Sequence, residues 1–264
     1  MKSYTDKTVL VTGASSGIGL AIAASLARRG ADVILTARST ETLNHVAADI
    51  KETGVNAHVF PEDLSQPGAA ERLHAAVTLA GLEVDLLVNN AGYGRWGDFG
   101  EFDRADYGQM IRLNITALTE LCHLFIPDMI ARGGGGVINV GSTASFLPVP
   151  YAAVYSASKA YVLLLSDALR FEYAQRGVSI MTLCPGATDS NFRAVAATKL
   201  SANLGHGGDA PTAVADEGLD AFLRDKSYVV TGKGNKKFAW LPRLLSRDRV
   251  LNMVGHNFRK RLGR

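Results

Sequence analysis

Thr8-Val9-Leu10-Val11-Thr12 runs straight into Gly13-Ala14-Ser15-Ser16-Gly17-Ile18-Gly19, and an apolar-periodic stretch from about Leu20 to Arg29 follows. The first five residues are β-branched and apolar, as in a short buried strand. The last ten repeat their apolar positions at helical spacing. Strand, glycine-rich turn and helix in that order form the setting a dinucleotide-phosphate loop needs. The glycines permit a tight turn and close backbone approach. The helix start offers free N–H groups and the positive end of its dipole to a pyrophosphate. The next strand, Ala31 to Ala37, ends on Arg38. An NAD site carries an acidic residue there for the ribose hydroxyls. Arg38 instead suits a 2′-phosphate, with Ser15 or Ser39 adding hydrogen bonds, so the cofactor expected is NADP. The alternative is that Arg38 only opens the next helix.

The same alternation continues along the chain. The pattern predicts helices at about 40–53, 68–80, 104–131, 155–175 and 212–224. It predicts strands at 57–61, 85–89, 137–142, 178–184 and 228–231. Strands separated by helices of this length call for one parallel sheet covered on both faces, a doubly wound α/β Rossmann fold. Polar or small residues gather where strands end. Asp63 and Leu64 follow the third strand, where Asp63 either caps a helix or touches an adenine ring. Asn90, Ala91 and Gly92 follow the fourth, Ser142 closes the fifth, and Pro185 and Gly186 follow the sixth. Asn114 interrupts a long helix, where Asn is a mediocre former. Residues 187–211 read as a binding loop or lid, with a short helix near 191–199.

Tyr155 and Lys159 lie four apart in a helical run and so share a face. A phenol titrates near 10, too high for proton exchange at neutral pH, and a neighbouring ammonium favours its phenolate. The pair is a proton-transfer device once a carbonyl or hydroxyl is placed against it.

The composition is that of an ordinary globular chain of 264 residues, 47% hydrophobic and 20% charged. Cys122 and Cys184 sit in apolar runs and read as core thiols in a reducing compartment. No His/Cys cluster has metal-ligand spacing. The start of the chain leads directly into a strand, so no signal peptide is expected, and no apolar run has spanning length. A cytoplasmic location is expected, with a membrane surface as a second possibility. The net charge of +3 is unevenly spread: residues 233–264 hold ten Lys/Arg and one acidic residue, Asp248. One domain over 1–232 and a basic amphipathic tail over 233–264 are therefore expected, the tail helix beginning near Pro242. Two arrangements suit the tail: contact with an anionic membrane surface, or packing over the substrate cleft or a partner subunit. Nucleic-acid binding is disfavoured by the acidic body.

Taken together, Thr12-Gly13-Ala14-Ser15-Ser16-Gly17-Ile18-Gly19, Asn89-Asn90-Ala91-Gly92, Asn114, Ser142, Tyr155-Ser156-Ala157-Ser158-Lys159 and Pro185-Gly186 resemble the short-chain dehydrogenase/reductase family over nearly the whole of residues 5–231. The resemblance implies hydride transfer between NADP(H) and an alcohol or carbonyl. It implies that Tyr155 is the general acid/base and that Ser142 holds and polarises the substrate oxygen. Lys159 would lower the Tyr155 pKa and bind the nicotinamide ribose, while Asn114 would hold a relay water. Gly13 to Gly19, Asn90, Gly92, Asp63 and Thr188 would line the cofactor. Tyr93, Trp96, Phe146 and Phe192 come from segments expected around the reacting oxygen, with Leu147, Val149 and Tyr151 beside them, and point to an apolar, lipid-like substrate. The family also implies a homodimer or homotetramer. An NADP(H)-sensing protein, or an epimerase or dehydratase on the same site, are the competing readings.

Overall fold

The computed structural model describes residues 1–189, 208–232 and 234–261. A seven-stranded sheet of β1 (Thr8–Thr12), β2 (Asp32–Thr36), β3 (Ala57–Val59), β4 (Leu86–Asn89), β5 (Gly135–Val140), β6 (Val178–Cys184) and β7 (Tyr228–Val230) has the order β3-β2-β1-β4-β5-β6-β7. All six pairings are parallel. The order reverses between β1 and β4, which opens a crevice at their carboxyl ends.

The two-residue period of a strand divides the core into two layers. Val9, Val11, Val33, Leu35, Val88 and Leu183 pack against α1 (Gly17–Arg28), α2 (Thr40–Lys51) and α7 (Pro211–Leu223). Leu10, Ile34, Leu87, Val137 and Ile180 pack on the other face against α3 (Ala69–Leu79), α5 (Leu118–Ala131) and α6 (Ala153–Tyr173). Strands apolar on both faces are the expected signature of a covered parallel sheet. A buried polar chain crosses the second layer. Asn89 Nδ2 donates to Asn139 Oδ1 at 2.9 Å, and Asn139 Nδ2 donates to Ser166 Oγ at 2.9 Å. It ties β4 and β5 to the helix that carries Tyr155. Both cysteines are free and buried.

The doubly wound α/β fold is the one expected, and three local readings change. The helix expected over 104–131 is α4 (Arg104–Ile111) and α5 joined through a wider π turn, Arg112–Ala117. The fifth strand starts two residues early, at Gly135, because the Gly135 N–H donates to Gly177 O and the Gly136 N–H to Asp85 O. The tail helix does not begin near Pro242. It begins at Lys237, as α8 (Lys237–Leu244), and is followed by α9 (Arg247–Arg261). Asn235 sets that earlier start. Its Nδ2 donates to Thr231 O at 2.8 Å, and its carbonyl accepts the Phe238 N–H. The Phe192 reading and the helix expected over 191–199 lie outside the described residues.

Candidate active site

The loop after β1 is shaped by contact as much as by conformation. Gly13 and Gly17 adopt the left-handed φ that a side chain disfavours, +66° and +56°. Gly19 does not; its constraint is space, since a Cβ there would fall on Gly13 O and on Asn90 Nδ2. Asn90 holds the turn from the opposite side, its Nδ2 donating to Thr12 O at 2.9 Å and Gly13 O at 3.3 Å. The Asn90 and Ala91 N–H groups both donate to Thr12 Oγ1 at 2.9 Å. Asn90 and Ala91 thus fasten the phosphate loop to the end of β4. Ser16 caps α1 without any side-chain bond, and the first turn of α1 carries no acidic residue. Its positive end therefore stands free for an anion, and Ser15 and Ile18 flank it half-buried. These residues fit a dinucleotide pyrophosphate.

Arg38 is exposed at the end of β2. Asp63 lies within its field and also holds its own turn. Ser65 N–H and Oγ donate to Asp63 Oδ1 at 3.1 and 2.7 Å, and Gln66 Nε2 donates to Oδ2 at 3.2 Å. Burial would raise the Asp63 carboxyl, but these bonds and the Arg38 charge hold it below the usual carboxylate range. These bonds hold a turn over 63–66; Asp63 does not cap the next helix, because α3 starts at Ala69 with Gly68 at its N-cap and no side-chain cap bond. Leu64 turns its side chain into the core.

β5 stops at Val140, two residues short of the expected end, and Ser142 caps the short turn Thr143–Phe146 beyond it; its Oγ accepts the Ala144 N–H at 3.1 Å while its own N–H donates to Ser145 Oγ at 3.1 Å. It hydrogen-bonds the Tyr155 hydroxyl. Lys159 is 5% exposed, one turn along α6. Its Nζ donates to Val140 O at 2.8 Å and lies 5.9 Å from the Tyr155 ring centroid. Gly92 backs onto this group: a Cβ there would sit 3.0 Å from Asn114 Oδ1 and 3.5 Å from Lys159 Nζ. Asn114 is 1% exposed, inside the π turn. Its Oδ1 accepts the Tyr93 N–H at 3.1 Å, and its Nδ2 donates to Tyr93 O at 2.9 Å and Ser158 Oγ at 3.1 Å. The side-chain amide therefore positions the 93–99 loop and α6. Pro185 O accepts the Thr143 N–H at 2.9 Å, and Thr188 Oγ1 donates to Gly186 O at 3.2 Å, closing the crevice beyond β6.

Burial governs the electrostatics. It pushes the Tyr155 hydroxyl up to about 12, with the Ser142 bond pulling the other way. It pushes the Lys159 ammonium down to about 8. The expected lowering of Tyr155 by Lys159 is not among the causes acting on the phenol here, where desolvation is the largest and raises it. A stability effect follows. Between about 8 and the ordinary 10.5, the unfolded chain holds a proton on this lysine that the folded chain has released. The stability contribution at this position therefore rises with pH through that window, and the burial cost is felt in full below about 8. Above 10 the raised Tyr155 pKa acts in the opposite sense, since the folded phenol keeps a proton that the unfolded one loses. In urea titrations of wild type and Lys159→Met at pH 7 and 9.5, the difference is expected to move about 1–2 kcal/mol in favour of wild type. A difference that stays constant would mean that Lys159 is not desolvated.

Trp96 packs on Tyr155, ring centroids 5.0 Å apart. Tyr93 Oη donates to Asp106 O at 3.0 Å. Leu147, Val149, Tyr155, Val250 and Val254 form one apolar cluster, with Trp96, Tyr93, Leu241 and Phe258 at its edge. Tail helix α9 thus packs over the apolar cluster that contains Tyr155. Phe146 goes elsewhere, packing with Tyr228, Val230 and Ala239. Thr12 and Ser158 stand inside the quoted motifs, but the sequence assigns neither the hydrogen bond it makes here, and Tyr151, read as a pocket residue, has a backbone role as well. Tyr151 adopts φ +66° and its carbonyl accepts the Gly97 N–H at 2.8 Å, joining the two loops that flank the site. No local pattern marks an aromatic residue for left-handed backbone.

A family model described as short chain dehydrogenase matches residues 7–200. Ketoacyl reductase HetN of a Nostoc species is 34% identical over 234 residues, covering 88% of this chain and 81% of the relative. A 7beta-hydroxysteroid dehydrogenase of Clostridium sardiniense is 38% identical over 180 residues, 68% of each chain. Among solved structures, a short-chain dehydrogenase from Sphingobium yanoikuyae in complex with NADPH superposes with a TM-score of 0.82 at 29% identity, covering 93% of this chain and 95% of the other. The matched span carries both the loop after β1 and the Ser142–Tyr155–Lys159 group, so the chain belongs to the short-chain dehydrogenase family, as an oxidoreductase of CH–OH or keto groups.

Proposed function

We propose that this protein is an NADP(H)-dependent dehydrogenase/reductase of an apolar, lipid-like secondary alcohol or ketone. The observation that carries the reading is a buried phenol, hydrogen-bonded to Ser142 and neighboured by Lys159, under an apolar roof. When bound, the nicotinamide supplies or accepts the hydride. Tyr155, protonated at neutral pH, delivers its proton to the carbonyl oxygen in reduction, and Ser142 donates a hydrogen bond to the same oxygen. In oxidation the phenolate takes the hydroxyl proton, so oxidation gains with rising pH and reduction does not. Lys159 keeps N–H groups beyond the one given to Val140 O, enough for a ribose hydroxyl. The roof of Val250, Val254 and Trp96 excludes water and favours bulky apolar substrates. A ketoacyl reductase and a hydroxysteroid dehydrogenase among the relatives support that substrate class. Turnover of a carbonyl panel with NADPH tests the reading, and preference for small charged sugars would overturn the substrate class.

Arg38 carries the cofactor preference. Arg38→Ala is expected to weaken NADPH binding tenfold to a hundredfold, the worth of a charge-assisted hydrogen bond, and to leave NADH unchanged. Equal loss for both cofactors in fluorescence titration would remove Arg38 from this role. A homodimer or homotetramer is supported by the apolar side chains that α4 and α6 leave exposed, among them Leu164 at 69% and Phe171 at 88%.

A further inference from the structure

The tail has a second face. Helix α9 turns Val250 and Val254 inward, 1% and 7% exposed, onto the cluster that contains Tyr155. Helix α8 turns Ala239 inward and leaves Trp240 and Leu244, one turn apart, 56% and 76% exposed. Lys237 and Arg243 share that outward stripe, and the Arg243 guanidinium lies 5.3 Å from the Trp240 ring centroid. Lys236 is exposed beside them. On α9, Leu251 and Met253 are also exposed, 40% and 47%, among Arg249, Arg259 and Lys260. A cleft of about 340 Å³ continues the patch past Trp240. Arg224, Lys226 and Lys236 line it, with Glu217 as the carboxylate in its wall. Amphipathic side chains with a Trp and cations at one level are what an interfacial helix presents to a lipid headgroup layer.

We infer that α8 and α9 dock the protein on an anionic lipid surface, with the stripe Lys237, Trp240, Arg243 and Leu244 in contact. Charge selects this occupant. A two-fold contact with a second copy would set the stripe against itself, cation to cation, in a tail of ten Lys/Arg and one acidic residue. An anionic bilayer meets both its cations and its apolar side chains. Because α9 also roofs Tyr155, docking sets the substrate site one helix away from the lipid. This last step rests on the catalytic reading above; the docking itself does not.

The test is cosedimentation of the full chain with vesicles of phosphatidylcholine containing 30% phosphatidylglycerol, and with pure phosphatidylcholine, without cofactor or ketone. Binding to the anionic vesicles only is expected, released by salt. Each surface cation near such a leaflet is worth about a fivefold change in affinity, so Lys236→Gln/Lys237→Gln/Arg243→Gln is expected to weaken binding on the order of 100-fold. Should the triple variant misfold by circular dichroism, Arg243→Gln alone is expected to cost about fivefold. Equal binding to both vesicle types, or unchanged binding of the variants, overturns the inference. So does a drop in sedimentation coefficient in the variants, which would assign the stripe to a contact between copies. Turnover of a water-soluble ketone is measured separately. Its absence in wild type would defeat the catalytic reading while vesicle binding stood.

Discussion

Tyr155→Phe is expected to lower kcat for carbonyl reduction by a factor of 10³ to 10⁴, the upper part of what a positioned general acid contributes. The size of the effect comes from burial. The hydroxyl lies at 7% residue exposure against Trp96 and Ser142, so no bulk water stands ready to deliver the proton in its place. The substitution keeps the ring, and with it the 5.0 Å contact to Trp96 and the place in the roofed cluster. The Ser142 hydroxyl keeps its bond from the Ala144 N–H. Stability should therefore change by no more than about 1 kcal/mol, the net worth of one hydrogen bond. NADPH affinity should stay within a few-fold of wild type, which separates loss of proton transfer from loss of the site. Residual turnover within tenfold of wild type would mean that the proton comes from another group.

The parts legible in the sequence are those whose chemistry is local. The loop from Gly13 to Gly19 follows a strand and opens a helix, and each requirement is met by adjacent residues. Alternating strands and helices fix a parallel sheet, because Val9 and Leu10 must face opposite layers. Tyr155 and Lys159 share a face by helical spacing alone. What the sequence hid depends on contacts between distant segments. The amide of Asn114 is occupied by Tyr93 and Ser158, 21 and 44 residues away, and no propensity scale reads that or the π turn around it. The direction of the Tyr155 shift depends on how deeply the phenol is buried, which Lys159 four residues on cannot reveal. The tail read correctly as amphipathic, but periodicity does not say which surface covers an apolar face. Val250 and Val254 find it across some hundred residues of chain, over Leu147 and Val149.

Gly19→Ala is expected to weaken NADPH binding by at least a hundredfold in a protein that still folds. Gly19 has no left-handed φ, so the backbone would accept alanine; the added methyl has nowhere to go. It would fall on the Gly13 carbonyl, which is backbone, and on Asn90 Nδ2, which already donates to Thr12 O and Gly13 O. Neither can withdraw alone. Moving Asn90 breaks the fastening between the ends of β1 and β4, and moving Gly13 lifts the loop from the start of α1. Either way the loop and the uncapped α1 N-terminus lose the arrangement that receives a pyrophosphate, while the sheet beneath stays packed. Overpacking of one methyl costs about 1–3 kcal/mol, less than a domain's whole stability, so thermal melts should show a lowered but cooperative transition. Gly100→Ala is the control, because a Cβ there meets nothing within 4 Å and its binding and melting should match wild type. If Gly19→Ala binds NADPH as tightly as Gly100→Ala, the cofactor phosphates are held elsewhere. If it fails to fold, the helix–loop contact is a requirement of the fold itself, and the graded test becomes Asn90→Ala, which removes the fastening without adding a clash. That variant is expected to bind NADPH about tenfold more weakly, as two hydrogen bonds to the loop are lost.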